Sequence, residues 1–194
     1  ISKENRLCSL ILNGKDRPIK IELQNFLKES GDTPGTRKTF IYNTFEKLMK
    51  AISKSLKKND PNHLNLGIRY GYIEQLDDEL LRISKESFDA LSFNCYALSP
   101  DHEKMNHALE ISGLPMIIGE YHFGTVDRGL AQSLWQVNSQ KERGDAFRYY
   151  TENAFAHRGL IGTGWFRWID QNINGRTDGE NYNCGFIDVT DRPY

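Results

Sequence analysis

Residues 115–124 read PMIIGEYHFG: Pro115, Met116, Ile117, Ile118, Gly119, Glu120, Tyr121, His122, Phe123, Gly124. The reading of this stretch decides the fold class. An apolar run of this length between turn residues fits a strand buried on both faces, as in a parallel sheet. A carboxylate at the end of such a strand is costly to bury unless it is paired or used. In parallel α/β folds, chemistry collects at the carboxyl ends of strands. Glu120 is therefore the first functional candidate. The alternative is a structural carboxylate that pairs with an Arg or accepts backbone hydrogen bonds.

Working outward, three more segments read as strands: HLNLGIRY at 63–70, FDALSFNCY at 88–96 and LIGTGWFRWID at 160–170. Helical patterns lie between them. Ile73, Leu76, Leu80, Leu81 and Ile83 mark the first. Asp101 caps a second through Glu110, closed by Gly113. After a loop over 125–137, Asn138 or Ser139 caps a third, with Ala146, Tyr149, Tyr150, Ala154 and Phe155 and an end at Gly159. Strands alternating with helical crossovers are the βαβ pattern of a parallel sheet.

Upstream, Leu7, Leu10, Ile11 and Leu12 outline a short helix ending near Asn13-Gly14. Pro18 opens a helix carrying Ile19, Leu23, Phe26 and Leu27, which Gly31 ends. A turn over 32–35 precedes a long amphipathic helix marked by Phe40, Ile41, Phe45, Leu48, Met49, Ile52 and Leu56. Asn59-Asp60-Pro61 stops it. The residues after 170 are loop-like, with Gly175, Gly179 and Gly185 and a short apolar run at 186–189.

The chain has 194 residues, 38% hydrophobic and 26% charged, with formal net charge -1. This suits one compact domain with a sizeable core. Near-neutral charge makes no electrostatic case for nucleic acid or an anionic membrane. No apolar run approaches the roughly 20 residues of a membrane helix. The sequence opens on Ile rather than Met, so it reads as a piece of a longer protein and its lack of a signal peptide says nothing about compartment. Cys8, Cys95 and Cys184 are far apart and odd in number, which points to buried free thiols rather than a zinc site or disulfide framework. The G-x-G-x-x-G and Walker signatures are missing from the strand ends, which disfavours a nucleotide cofactor.

The strand ends instead carry Arg69-Tyr70, Asn94 and Tyr96, Glu120 and His122, and residues 165–170 with Trp165 and Trp168. Carbohydrate sites want this mixture: aromatic faces cover the apolar faces of sugar rings, while carboxylates, amides and guanidinium groups bind hydroxyls. Taken singly, Tyr96, Trp165 and Trp168 could each be core.

Several motifs, in order, carry a family resemblance. They are NDPNHLNLGIRY at 59–70, IGEYHFG at 118–124, DRG at 127–129, WFRWIDQ at 165–171 and GRTDGENYNCGFIDVTDRPY at 175–194. Together they resemble the catalytic half of clan A glycoside hydrolases, and most closely the β-agarases of family fifty. The β-galactosidase-like families are the nearest confusion. The resemblance implies a (β/α)8 TIM barrel, with the strands named above as strands five to eight and extra helices before them. The chain would then be the C-terminal half of the catalytic domain. A whole barrel needs about 250 residues, so strands one to four, and the N-terminal half of the barrel as a partner, would lie upstream.

The resemblance further implies a retaining glycosidase acting on β-galactoside-containing polysaccharide, with Glu120 as nucleophile. The family's acid/base Glu follows an Asn at the end of strand four, and this chain has no counterpart. Tyr96 matches the tyrosine that donates to the nucleophile, with His122 and Arg69 as further partners. Arg69, Asn94, Tyr96, His122, Trp165, Trp168, Asp178, Glu180 and Asn181 are substrate-binding candidates, with Trp165 or Trp168 flooring the sugar pocket; of these, the last three sit in a Gly-rich loop that could equally be a solvated turn. No metal or cofactor is required. The family favours a periplasmic or secreted location. The competing function class is a non-catalytic carbohydrate-binding or scaffold piece that keeps the barrel wall without the reaction.

Overall fold

A computed structural model describes residues 2–194. The chain divides into two compact units, Ile1–His63 and Leu64–Tyr194, where length and composition point to one domain. Each unit has its own apolar cluster, which is the physical reason for the division.

The first unit is helical: α1 (Lys3–Asn13), α2 (Pro18–Ser30) and α3 (Pro34–Asn59). Ser2 caps α1, its hydroxyl accepting from the Asn5 amide. Pro18 stands in the first turn of α2, and Gly31 ends that helix at φ 79. The turn expected over 32–35 is shorter than its composition indicates. A reciprocal cap between Thr33 and Thr36 starts α3 at Pro34, which is tolerated there because its missing N–H needs no partner. Cys8, Leu23, Leu27 and Phe40 form the core.

The second unit holds β1 (Arg69–Tyr70), α4 (Asp78–Ser87), β2 (Leu91–Asn94), α5 (His102–Ser112), β3 (Met116–Tyr121), α6 (Gln140–Phe155) and β4 (Leu160–Trp165). The strands form one sheet in the order β1-β2-β3-β4, with every pairing parallel. Leu91, Phe93, Met116 and Ile118 are fully buried in the core, with Met105, Ala108, Tyr150 and Ala154 from the helices. Burial of each large side chain contributes about 1.5–3 kcal/mol.

Every strand is shorter than its apolar run. Of residues 63–70, only Arg69 and Tyr70 pair. The Asn65 side chain turns back on the Gly67 amide, and Gly67 has φ 71, so the chain cannot extend there. Residues 166–170 leave the sheet because the tail captures them: the amides of Phe186 and Ile187 donate to the Trp168 carbonyl, and Asp170 donates to that of Ile187. The expected helix from Ile73 is a 3-10 turn at Ile73–Gln75 followed by α4, whose start is fixed by the Asp77 carboxylate accepting from Leu80.

All three cysteines are free; Cys8 and Cys184 are buried and Cys95 is half-buried. Among the described residues, no helix is long and apolar enough to cross a membrane.

Candidate active site

The site is built at the C-terminal ends of β1, β2 and β3. Met116 and Ile118 face the helices in β3, so strict alternation would send Glu120 the same way. A bulge prevents this. Phe93 pairs with Ile118 and Asn94 with Glu120, leaving Gly119 as an extra residue opposite β2. On the other side, Ile118 pairs with Thr163 and Tyr121 with Trp165, so two residues of β3 oppose Gly164. Bulges of this kind re-aim side chains next to active sites. Here Tyr121 takes the helix-facing place and stacks on Tyr150 of α6, 4.0 Å between ring centroids. Glu120 turns to the opposite face.

On that face the Glu120 carboxylate has two donors from the end of β2 and a cation from the end of β1. Tyr96 Oη donates to Oε2 at 2.8 Å and Asn94 Nδ2 to the same oxygen at 2.9 Å. Arg69 Nη2 lies 2.8 Å from Oε1. Burial, and then the bond to Glu120, push the Tyr96 hydroxyl far above the usual tyrosine range, so it remains a proton donor. The carbonyl oxygen of the Asn94 amide is buried and has no partner among the described residues.

His122 lies behind these groups rather than among them. It is 1% exposed, and both ring nitrogens are used: Nδ1 bonds the Phe166 carbonyl at 2.8 Å and Nε2 accepts from the Leu134 amide at 3.2 Å. Nε2 accepts from an N–H, so Nδ1 carries the proton and the ring is neutral. Burial holds its pKa down to about 4. The ring meets Tyr96 edge-on at 4.8 Å and so fixes the phenol that reaches Glu120. Both ring nitrogens are thus committed to backbone partners within the chain.

The two tryptophans part company. Trp165 lies in the layer between sheet and α6, against Tyr121, Phe147 and Phe186, with its indole N–H donating to the Cys184 carbonyl at 2.7 Å. In this chain its ring packs between the sheet and α6. Trp168 is 68% exposed and touches Phe186 edge-on.

The Gly-rich loop is tied to itself. Arg176 pairs with Asp178 and lies 3.4 Å from Glu180, which also accepts from Gln171 at 2.8 Å. The Asn181 amide donates to the Ile173 carbonyl. The loop still belongs to the site's surroundings, since Arg176 feels the charge of Glu120 and Tyr96 that of Glu180. Arg176 is a neighbour that sequence reasoning missed; its place between Gly175 and Gly179 was the available signal.

A buried polar network under this loop was not foreseen at all. Asp170 accepts from the Asn183 amide, the Gly185 N–H and the hydroxyl of Tyr194. Arg143, on α6, donates to the Asn183 and Gly185 carbonyls and lies 4.8 Å from the Tyr194 ring centroid. Gln140 and Thr125 complete it at the Asn183 side chain. Among the described residues, no three or more His, Cys, Asp or Glu side chains group as metal ligands would.

No family model matches the chain. β-Agarase A of Vibrio sp. (strain JT0107) is 36% identical over 150 residues, which is 74% of this chain and 15% of that protein. The agarase AgWH50C has a solved structure that matches with TM-score 0.76 and 33% identity, over 82% of this chain and 23% of that one. The solved structure of BpGH50 matches with TM-score 0.79 and 23% identity, over 97% of this chain and 43% of that one, a likeness of fold. The chain thus spans about a sixth of the length of the curated relatives it matches.

Proposed function

We propose that this chain is the nucleophile-bearing part of an agarase-like glycoside hydrolase, a retaining enzyme acting on β-galactoside-containing polysaccharide or oligosaccharide. The observation that carries the reading is the Glu120 carboxylate, re-aimed by the bulge and held by Arg69, Asn94 and Tyr96. The similarity to β-agarases supports it. In this reading the four parallel strands are strands five to eight of a (β/α)8 barrel, and a preceding segment supplies the rest.

The chemistry follows from the geometry. A retaining glycosidase uses a carboxylate that attacks the anomeric carbon and a second carboxyl group about 5 Å away that protonates the leaving oxygen and then activates water. Oε2 has both lone-pair directions taken by Asn94 and Tyr96, whereas Oε1 accepts no side-chain hydrogen bond among the described residues and faces the Arg69 guanidinium as an ion pair. Oε1 is therefore the attacking atom. Within this chain Asp170 is spent on its buried network and Glu180 on Gln171 and Arg176. The acid/base belongs to the preceding segment, and the partner of the whole is a carbohydrate.

In the full-length protein that carries this chain, Glu120→Gln should remove glycoside cleavage by several orders of magnitude while leaving the fold intact. Turnover near the unmodified level would sink the assignment. The isolated chain lacks general acid catalysis, a deficit of about 100- to 10,000-fold, and should release no reducing ends from agar-type or β-galactoside substrates.

A further inference from the structure

The net charge of -1 averages two units of opposite sign. Residues 1–63 hold thirteen Lys and Arg against seven Asp and Glu, a formal +6; residues 64–194 hold twelve against nineteen, a formal -7. The positive excess is concentrated in the second half of α3. There Lys47, Lys50, Lys54, Lys57 and Lys58 fall within about 100° of helical arc at 3.6 residues per turn. Lys50 lies 2.6 Å from Glu46. Lys47, Lys54 and Lys58 have no ion pair among the described residues.

Beside this arc runs an apolar stripe. Leu48, Ile52 and Leu56, at i, i+4 and i+8, are 53%, 42% and 45% exposed. Only the small Ala51 and Ser55 separate the stripe from the lysines on that side. Among the described residues, the apolar cluster of the unit takes Phe40 and Ile41 from α3; further along, Tyr42 and Met49 are buried, while the Leu48–Ile52–Leu56 stripe stays exposed.

We propose that the second half of α3 docks on an anionic lipid bilayer. A helix with exposed Leu and Ile along one face and lysines beside it lies in the plane of such an interface, apolar side chains entering the acyl boundary and lysine stems reaching back to headgroup phosphates. Charge complementarity selects the anionic surface, and the stripe selects lipid over other polyanions: a nucleic acid duplex or a sulfated polysaccharide would engage the lysines and leave Leu48, Ile52 and Leu56 in water. The docking is peripheral and requires no spanning helix.

The test is flotation of the purified chain with vesicles of phosphatidylcholine plus phosphatidylglycerol, against vesicles of phosphatidylcholine alone. The chain should float with the first and not the second, and added salt should weaken binding. The triple variant Lys47→Glu, Lys54→Glu, Lys58→Glu should lower affinity for anionic vesicles about 100-fold, from the contribution of each lysine near a charged surface. The triple variant Leu48→Ser, Ile52→Ser, Leu56→Ser should also be released, at low salt, with helical circular dichroism retained in both. If the serine variant were to unfold, single Leu56→Ser and Ile52→Ser variants would carry the same comparison. Failure of the unmodified chain to float at low salt would overturn the proposal. So would unchanged binding by the folded serine variant, or binding to duplex DNA or a sulfated polysaccharide with none to vesicles.

Discussion

The stem of Arg69 crosses Gly119 so closely that a β-carbon on Gly119 would stand 2.5 Å from Arg69 Cδ. The same glycine is the extra residue of the β3 bulge. One position therefore does two things: it turns Glu120 to the open face and leaves room for the guanidinium that pairs with it.

Gly119→Ala should push Arg69 off Glu120, since the new methyl group would also stand 3.1 Å from Ser92 Oγ. The expected cost in stability is about 1–3 kcal/mol, typical of overpacking. A crystal structure of the variant checks it; an Arg69–Glu120 pair still at 2.8 Å would refute the expectation.

Tyr96→Phe removes one of the two donors on Oε2 and leaves Asn94 in place. Under the proposed function, it should lower glycoside turnover by the full-length protein roughly 100- to 1000-fold, as loss of a preorganised donor does. The fold should be retained, because the ring still meets His122 edge-on. Steady-state kinetics with a fluorescence melt separates the two effects.

His122 supplies a pH dependence. Its folded pKa is about 4, below the ordinary 6.5. The unfolded chain thus binds more protons between these values, so stability is fully present above about pH 6.5 and is lost as pH falls toward 4. The span corresponds to about 3 kcal/mol. His157, also buried and shifted down, adds in the same direction. Denaturant melts followed by tryptophan fluorescence report the second unit alone, because Trp135, Trp165 and Trp168 all lie in it. His122→Gln, which cannot protonate, should flatten the slope; an unchanged slope would remove His122 from the account.

Asp170→Ala should strip Asn183, Gly185 and Tyr194 of their shared acceptor and leave buried donors unmatched. A loss of about 3–5 kcal/mol is expected for breaking a buried charged cluster. Tyr194→Phe, which removes one hydroxyl that donates to Asp170 and accepts from Asn183, should cost about 1–2 kcal/mol. Hydrogen exchange should show residues 171–185 opening in the first variant and far less in the second.

The sequence by itself determined the parallel sheet and most helix limits, because these depend on signals within one turn or strand of each other. Asp101, Ser139 and Gly113 mark helix ends through bonds to amides or carbonyls three or four residues away. The run of Met116, Ile117 and Ile118 marks a strand covered on both faces. It also singled out Glu120, and placed Asn94 and Tyr96 together at the end of the neighbouring strand. Only the tertiary structure decided which way Glu120 points. Its two donors and its paired cation lie 24 to 51 residues away, at the ends of two other strands, and the bulge that aims it is a mismatch of register, invisible in β3 alone. The same holds for Trp165 and Trp168. Three residues apart in similar surroundings of sequence, one is fixed against α6 and the other left exposed by how the tail from Phe186 folds back on Trp168. Local pattern carries what neighbours along the chain decide; side-chain direction at a strand end is decided by the strands beside it.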